Sequence, residues 1–421
     1  MSEHANAAES HPSKKAPSVL GGAMIVAGTA IGAGMFALPV YSSGMWFVLS
    51  LILLVFCWYC AYSSGLYLAE ASQYYPSGAS YSTIAADTMG PLGQLAATVT
   101  VGFVSFILCY AYISGGGSVV SSAMTANGID LSHSAAAVLF VLVFGIVVLA
   151  GTHMVERISL ILLAGMVLSF FGSVSMMASG ITTDKLISGA GLENLLPYCW
   201  VAVPVLVTSF GFHSTVPSLV KYYRQEMGQV RLAMLWGSLL ALLIYGLWQL
   251  GIMGNVSRLQ FVDVIAEGGN VASLIRAVGD SNERALTETL LMIFGNLALA
   301  SSFVGVSLGL LDLVRDLLKL DDSMASTFKA GALTFLPPML GAVVAPNGFI
   351  TAIGYASLLA AVFVLVLPPL MAYFLRKRHG LPVQSFITAG GSLRLYMVVG
   401  FGALAVLCEA LNLFNLLPRY S

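Results

Sequence analysis

Residues 21–39, GGAMIVAGTAIGAGMFALP, form an apolar run long enough to enter a membrane, but glycines interrupt its middle. Gly28, Gly32 and Gly34 stand where a membrane helix is normally continuous. Lipid cannot hydrogen-bond free peptide groups, so a broken helix is stable at bilayer depth only where protein or a water-filled cavity satisfies them. The run therefore predicts a discontinuous membrane helix that contributes to a binding site.

The composition extends this prediction to the whole chain. Of the 421 residues, 58% are hydrophobic and only 9% are charged, against about 25% charged in an average soluble domain. Because a span needs about 20 apolar residues, we expect an all-α integral membrane protein with about eleven transmembrane helices. The predicted spans are 18–40, 45–69, 92–115, 134–150, 157–179, 196–218, 229–254, 288–311, 328–345, 349–375 and 394–415.

The distribution of basic residues predicts the orientation. Residues 1–17 are polar and have no apolar core of the kind found in cleaved signal peptides, so we expect a cytoplasmic tail. With that tail inside, 13 of the 18 Lys and Arg residues fall on the cytoplasmic side. This bias follows the positive-inside rule and, with eleven spans, places the carboxyl terminus on the side of the membrane opposite the cytoplasm.

A second interruption occurs five spans later. In SFGFHSTVPS, residues 209–218, Gly211 and Pro217 interrupt the apolar pattern. Chance kinks are the alternative, but breaks in spans one and six are typical of an inverted repeat. We predict one five-helix repeat over 18–179, a second over 196–375, and an additional helix 11 over 394–415.

Two such breaks would suit a zwitterion. The ends of half-helices offer unpaired N–H groups to a carboxylate and unpaired carbonyl groups to an ammonium ion or cation. Glycine lets ligand atoms approach the main chain closely. The predicted substrate-binding residues are Thr29, Ile31, Gly32, Ala33, Gly34, Ser209, Phe210 and Gly211. We add Tyr110, which shares a helical face with Phe103 and Phe106 and could line an apolar side-chain pocket.

Three residues are candidates for ion coupling. His213 lies in the second break and could carry a proton, or it could be a neutral histidine that hydrogen-bonds the freed backbone. Ser301 and Ser302 could join backbone carbonyls around Na⁺, or they could simply let helices pack closely. We favour H⁺ over Na⁺ as the coupling cation.

Other classes of function find little support. The five cysteines lie in or beside apolar runs, and Cys57 and Cys60 are best interpreted as core residues. We therefore expect no disulfide framework, metal or cofactor, and with a net charge of −1 no nucleic-acid partner. An enzyme would need a constellation such as HExxH, which is absent, and a channel would favour a repeated filter loop. The expected partners are a substrate, a cation and membrane lipid.

Several stretches together resemble the hydroxy and aromatic amino acid permeases of bacteria, a family within the amino-acid, polyamine and organocation transporters. They are AGTAIGAGMFALP, SFGFHSTVPSLVKYY, LALASSFVGVSLGLLD and APNGFITAIGYASL. The resemblance implies a leucine-transporter-like fold and proton symport of an aromatic amino acid across the bacterial inner membrane. VPSLVKYY and FNLLPRY are more similar to the tryptophan-transporting branch than to the tyrosine branch. One departure is that Ser214 and Thr215 follow His213, where the family usually has Gly and then Asn or Ser.

Overall fold

A computed structural model describes residues 18–76, 79–282, 285–321, 323–379 and 386–420. The predicted tail, residues 1–17, lies outside the described residues. Throughout the described ranges, every regular element is a helix. The helices are α1 (Val19–Ala30), α2 (Ala37–Ser42), α3 (Trp46–Ser72), α4 (Tyr81–Ala126), α5 (His133–Leu149), α6 (Thr152–Ala178), α7 (Thr183–Leu186), α8 (Leu192–Leu195), α9 (Cys199–Thr208), α10 (Val216–Tyr222), α11 (Met227–Asn255), α12 (Gln260–Ala266), α13 (Val271–Asn282), α14 (Ala285–Leu318), α15 (Met324–Val344), α16 (Phe349–Ala361), α17 (Leu367–His379) and α18 (Gly391–Leu413).

The number of apolar helices agrees broadly with the prediction. Within the described residues, nine helical stretches are long and apolar enough to cross a membrane, and a tenth is obtained if one sharply bent pair counts as a single span. Helix α5 is also apolar but has only 17 residues. The chain is thus an all-helical, multi-pass membrane protein, while the count of eleven and the repeat stay predictions.

The longest helix, α4, contains a kink that explains why the predicted span begins only at residue 92. Gly90 has a φ of 71°, in the region that favours glycine, and Pro91 follows it. A residue before proline is driven out of the helical region. The first part of α4, residues 81–89, therefore runs in a different direction from the long apolar part.

Helix α11 is the element that places side chains at the first break. It packs tightly along α1, and a Cβ atom on Gly237 would lie 2.4 Å from the carbonyl oxygen of Ala23. Two helical turns further along α11, at about 1.5 Å per residue, comes Tyr245. Close contact between the two backbones at Gly237 thus fixes the distance at which Tyr245 reaches the end of α1.

Candidate substrate and ion site

Helix 1, formed by α1 and α2, is broken at Ile31 and Gly32, and we call this break 1. The N–H of Ile31 makes the last helical bond, to the Ala27 carbonyl at 2.7 Å. Gly32 is then extended, with φ −165° and ψ −164°, and one 3₁₀ turn over Ala33–Phe36 leads into α2. Because one extended residue carries the chain out of the helix, the halves meet at an angle of 53°.

A serine from α14 forms a hydrogen bond with the backbone on the α2 side of break 1. The hydroxyl of Ser302 accepts a hydrogen bond from the N–H of Ala33 at 2.9 Å. A Cβ atom on Gly32 would lie only 2.5 Å from that oxygen. Glycine is therefore needed at position 32 because of this close approach, since an extended φ is open to any residue.

Helix 6, formed by α9 and α10, is broken at residues 209–211, and we call this break 6. The N–H of Phe212 bonds the Phe210 carbonyl at 2.9 Å across Gly211, whose φ is −77° and ψ is 43°. This resembles an inverse γ-turn. The stretch Leu192–Tyr222 continues as one span without the sharp bend of helix 1. Break 6 therefore interrupts the helical hydrogen bonds but does not sharply change the direction of the helix axis.

Proline 217 has a different role from the one we predicted. It lies in the first turn of α10, directly after the 3₁₀ turn Phe212–Thr215. First-turn N–H groups have no partner within the helix, so a missing N–H costs nothing there. Pro217 thus starts the second half of helix 6, and the interruption itself is produced at Gly211.

A tyrosine from α11 joins the two breaks. The fully buried hydroxyl of Tyr245 lies 2.5 Å from the Ala30 carbonyl oxygen and 2.7 Å from that of Ser209. These carbonyls stand at the ends of α1 and α9. A hydroxyl donates only one proton, so Tyr245 satisfies one carbonyl at a time and leaves the other able to accept a second donor.

Peptide N–H groups are also free at the breaks. Across the described part of the chain, the N–H groups of Gly32, Gly34 and Gly211 have no hydrogen-bond partner. A Cβ atom on Gly34 would meet nothing within 4 Å. Free donors and open space therefore occur together on the α2 side of break 1.

Aromatic rings surround break 1 on the α2 side. The Phe36 ring lies 5.3 Å from Trp248 and 5.3 Å from Phe294, measured between ring centroids. Next to Trp248 on α11, and one turn from Tyr245, is Gln249, which is fully buried. Among the described residues, neither polar atom of its side-chain amide has a hydrogen-bond partner. A buried amide of this kind is available to a bound ligand.

The His213 ring is enclosed. It has no exposed surface, stacks on Phe212 at 4.9 Å and meets Phe363 edge to face at 6.2 Å. The Ala61 carbonyl of α3 is near the ring, but within the described ranges neither ring nitrogen makes a well-formed hydrogen bond. Both of its predicted roles, as a proton carrier and as a partner of the freed backbone, stay predictions.

Sequence comparison places this arrangement in a known family. The profile of the tryptophan/tyrosine permease family matches residues 15–409, which include both breaks. The chain belongs to the tryptophan/tyrosine permease family. The resemblance found in the sequence motifs is thus confirmed.

Relatives of the chain cover nearly its whole length. It is 41% identical to the tryptophan-specific transport protein of Pseudomonas aeruginosa, over 97% of this chain and 98% of the relative. It is 39% identical to the low affinity tryptophan permease of Escherichia coli K12, over 97% and 99%. It is 33% identical to the tyrosine permease of Enterobacter agglomerans, again over 97% and 99%.

Within this permease, most of the predicted site residues lie at the two breaks, and the others lie beside or away from them. Tyr245 brings together the first break and the second, and therefore most of the predicted substrate-binding residues. Thr29 is at the end of α1 and donates its hydroxyl to the Ile25 carbonyl at 2.8 Å. Ser301 and Ser302 lie half-buried on α14, and of these Ser302 contacts the break. The predicted substrate-binding residues that lie at the two breaks are Ile31, Gly32, Ala33, Gly34, Ser209, Phe210 and Gly211.

Tyr110 is placed apart from them. Its hydroxyl donates to the Ala345 carbonyl at 3.0 Å, and its ring packs against Gly341 and Gly348. Another tyrosine of α4, Tyr112, is buried beside Ser302 and close to Tyr245. Sequence reasoning that looked for an aromatic stripe on α4 missed this residue. A search for hydroxyl groups in the middle of spans would have found both Tyr112 and Tyr245.

Proposed function

We propose that the chain is a secondary active transporter that imports an aromatic amino acid, tryptophan in preference to tyrosine, by proton symport with alternating access across the bacterial inner membrane. The names of its relatives support the substrate class, since tryptophan or tyrosine appears in each of the three names given above. The argument from the structure depends on one observation, the convergence of both breaks on Tyr245.

That convergence gives complementary groups for an amino-acid backbone. The carbonyls of Ala30 and Ser209 accept from one hydroxyl at 2.5 and 2.7 Å, so a substrate ammonium group could take over the carbonyl that Tyr245 leaves. The free N–H groups of Gly32 and Gly34 are donors for a carboxylate. The positive end of the following helical turn would add to that attraction.

The side chain of the substrate would extend toward the aromatic rings beyond break 1. Phe36, Trp248 and Phe294 lie within 5.5 Å of one another by centroid distance. Aromatic pairs of this kind favour another flat ring over an aliphatic chain. The unpaired Gln249 amide could accept a hydrogen bond from an indole N–H, which favours tryptophan over phenylalanine.

Helix contacts support the inverted repeat. If spans 1–5 correspond to spans 6–10, then the contact of α14 with α6 should match a contact of α4 with α16, and both occur. Likewise, the packing of α1 on α11 is matched by that of α9 on α3. We therefore propose the leucine-transporter-like arrangement, with the amino terminus cytoplasmic and helix 11 outside the repeat.

The scale of the driving force is sufficient for uptake. One charge that moves down ~100 mV releases ~2.3 kcal/mol, and ~1.4 kcal/mol corresponds to a factor of ten. One coupled proton could therefore support roughly fifty-fold accumulation. Sodium is the second candidate, because the Ser302 hydroxyl lies at break 1 and Ser301 is its neighbour on α14. The Ser302 hydroxyl is already engaged by Ala33, which leaves it fewer lone pairs for a cation.

Uptake of labelled tryptophan into proteoliposomes tests the proposal. We expect saturable uptake, counterflow, competition by excess tyrosine weaker than by tryptophan, and loss of accumulation with a protonophore. Uptake that persists with the protonophore and requires external Na⁺ would replace the proton by sodium. Flux without saturation or counterflow would contradict a carrier mechanism and favour a channel.

A further inference from the structure

Two buried glutamates in the apolar helices have opposite surroundings. Glu70, on α3, is 2% exposed, and both of its oxygens are paired. Arg376 donates to them at 2.6 and 2.7 Å, and the N–H of Thr388 adds a third bond at 2.8 Å. The two bonds from Arg376 join opposite charges and are of the strong, charge-assisted kind. The role of Glu70 is to hold α3 and α17 together.

Glu409, on α18, is 1% exposed but has few partners. Among the described residues, Nδ2 of Asn412 donates to Oε1 in a long contact of 3.4 Å. The Ser357 hydroxyl of α16 also lies close to the carboxyl group, but it donates to the Gly354 carbonyl at 2.7 Å. Over the residues that the structure describes, Oε2 of Glu409 and Oδ1 of Asn412 have no partner. An ionised carboxylate is costly in such a place, so the site favours a carboxyl group that can hold a proton.

The charged and titratable groups around Glu409 come from three other elements. They are Tyr41 of α2, Tyr355 of α16, which faces Tyr41, and Arg419 of the carboxyl-terminal segment, while Cys408 precedes Glu409 on α18 itself. Arg419 is exposed and donates to the Asn412 carbonyl at 3.0 Å. This arginine marks a short route from the carboxyl group to water.

Tyr41 connects this carboxyl group to helix 1. A Cβ atom on Gly354 would lie 2.7 Å from the Tyr41 hydroxyl oxygen and 3.1 Å from Oε1 of Glu409, so both oxygens converge on one backbone position. Tyr41 also donates to the Ile350 carbonyl at 3.1 Å. Because Tyr41 is on α2, any movement of α2 about break 1 changes the surroundings of the carboxyl group.

We propose that Glu409 is the site where the coupling proton is loaded, an inference that rests on the proposed proton symport. A proton from water on the Arg419 side forms an O–H bond to Oε2, and the same proton leaves for water on the opposite side after the conformational change. Asn412 can serve both forms, since its Nδ2 donates to the ionised carboxylate and its Oδ1 accepts from the protonated acid. By linkage, if the position of α2 alters the proton affinity of Glu409, protonation must bias the position of α2 to the same extent.

Glu409→Gln tests the inference in proteoliposomes. Gln has nearly the same shape but cannot exchange a proton, so we expect tryptophan counterflow at equal pH on both sides to stay within about threefold of the wild type. Accumulation driven by an inward pH gradient of one unit, at most about tenfold for one proton, should fall to a ratio near one. Accumulation equal to that of the wild type would overturn the proposal.

Two further variants complete the test. Glu70→Gln is the matched control, because the Glu70 carboxylate is also buried but is paired. Tryptophan uptake by the folded fraction of this variant should stay coupled to protons. If Glu409→Gln gives no counterflow, Glu409→Asp is the variant to measure, because it keeps a carboxyl group but moves it away from Tyr41 and Asn412. We then expect the pH midpoint of uptake to shift, and an unchanged midpoint would overturn the assignment. Wild-type accumulation that resists a protonophore would instead contradict proton symport itself.

Discussion

The breaks in helices 1 and 6 differ in what holds them. At break 1 the chain passes through an extended Gly32, bends by 53°, and depends on side chains from α11 and α14. At break 6 the bonds are mainly local, from Phe212 N–H to the Phe210 carbonyl at 2.9 Å and from the Thr215 hydroxyl to the Phe212 carbonyl at 2.8 Å. Apart from the Tyr245 hydroxyl that both breaks share, break 1 should therefore respond to changes in α14, whereas break 6 should depend on its own sequence.

The largest effect is expected from Gly32→Ala. The new methyl group would lie 2.5 Å from Ser302 Oγ, so either the bend or α14 must shift. Overpacking of this kind costs about 1–3 kcal/mol. We expect at least a tenfold loss of tryptophan uptake and a lower melting temperature in detergent, measured on the same preparations.

Gly34→Ala is the matched control, since a Cβ atom there meets nothing within 4 Å. Its melting temperature should equal that of the wild type. Its apparent affinity for tryptophan should nevertheless fall, because the methyl group fills the space that we assign to the substrate. Equal loss of stability in both variants would contradict the argument that Ser302 is what requires glycine at position 32.

Tyr245→Phe comes next and removes the group shared by the two breaks. The ring would keep its edge-to-face contact with Phe210 at 5.3 Å, but the carbonyls of Ala30 and Ser209 would lose the one hydroxyl donor that they share. An unsatisfied buried acceptor costs about 1–3 kcal/mol. We expect uptake to fall by about a factor of ten, with the maximal rate affected more than the melting temperature.

The exposed Tyr396→Phe, 60% accessible on α18, is the control for loss of a tyrosine hydroxyl and should transport normally. If Tyr245→Phe does the same, the two breaks do not depend on a shared donor. If instead its melting temperature falls in proportion to uptake, Tyr245 only stabilises the fold.

The sequence predicted the local features of this comparison better than the contacts between helices. Glycines in apolar runs placed both interruptions correctly, because an interrupted membrane helix is costly and therefore depends on the residues in and around the interruption. The sequence did not distinguish an extended Gly32 from a turn at Gly211, since both depend on which side chain comes near. Tyr245 and Tyr112 were missed for the same reason. They belong to helices far away in the chain, and only packing brings their hydroxyls to the breaks.

Ser302→Ala should have a smaller effect, confined to break 1. It removes the acceptor of the Ala33 N–H, whose bond measures 2.9 Å, and a typical hydrogen bond contributes about 0.5–1.5 kcal/mol. We expect uptake to fall about threefold, while combination with Gly32→Ala should restore part of the activity lost by the latter. Ser301→Ala is the control. A change in Na⁺ dependence in either variant would favour a cation site over this structural role.

The smallest effect is expected from His213→Leu, at break 6. The ring is fully buried against Phe212 and Phe363, and neither of its nitrogens has a well-formed hydrogen bond among the described residues. Removing two buried polar atoms that lack partners costs little, and leucine retains an apolar side chain among the rings. We expect folding, counterflow and proton-driven accumulation to stay within about twofold of the wild type, whereas Glu409→Gln should lose accumulation. Retained counterflow with lost accumulation in His213→Leu would make the histidine the proton carrier, and break 6 would then be the site of ion coupling as well as of substrate binding.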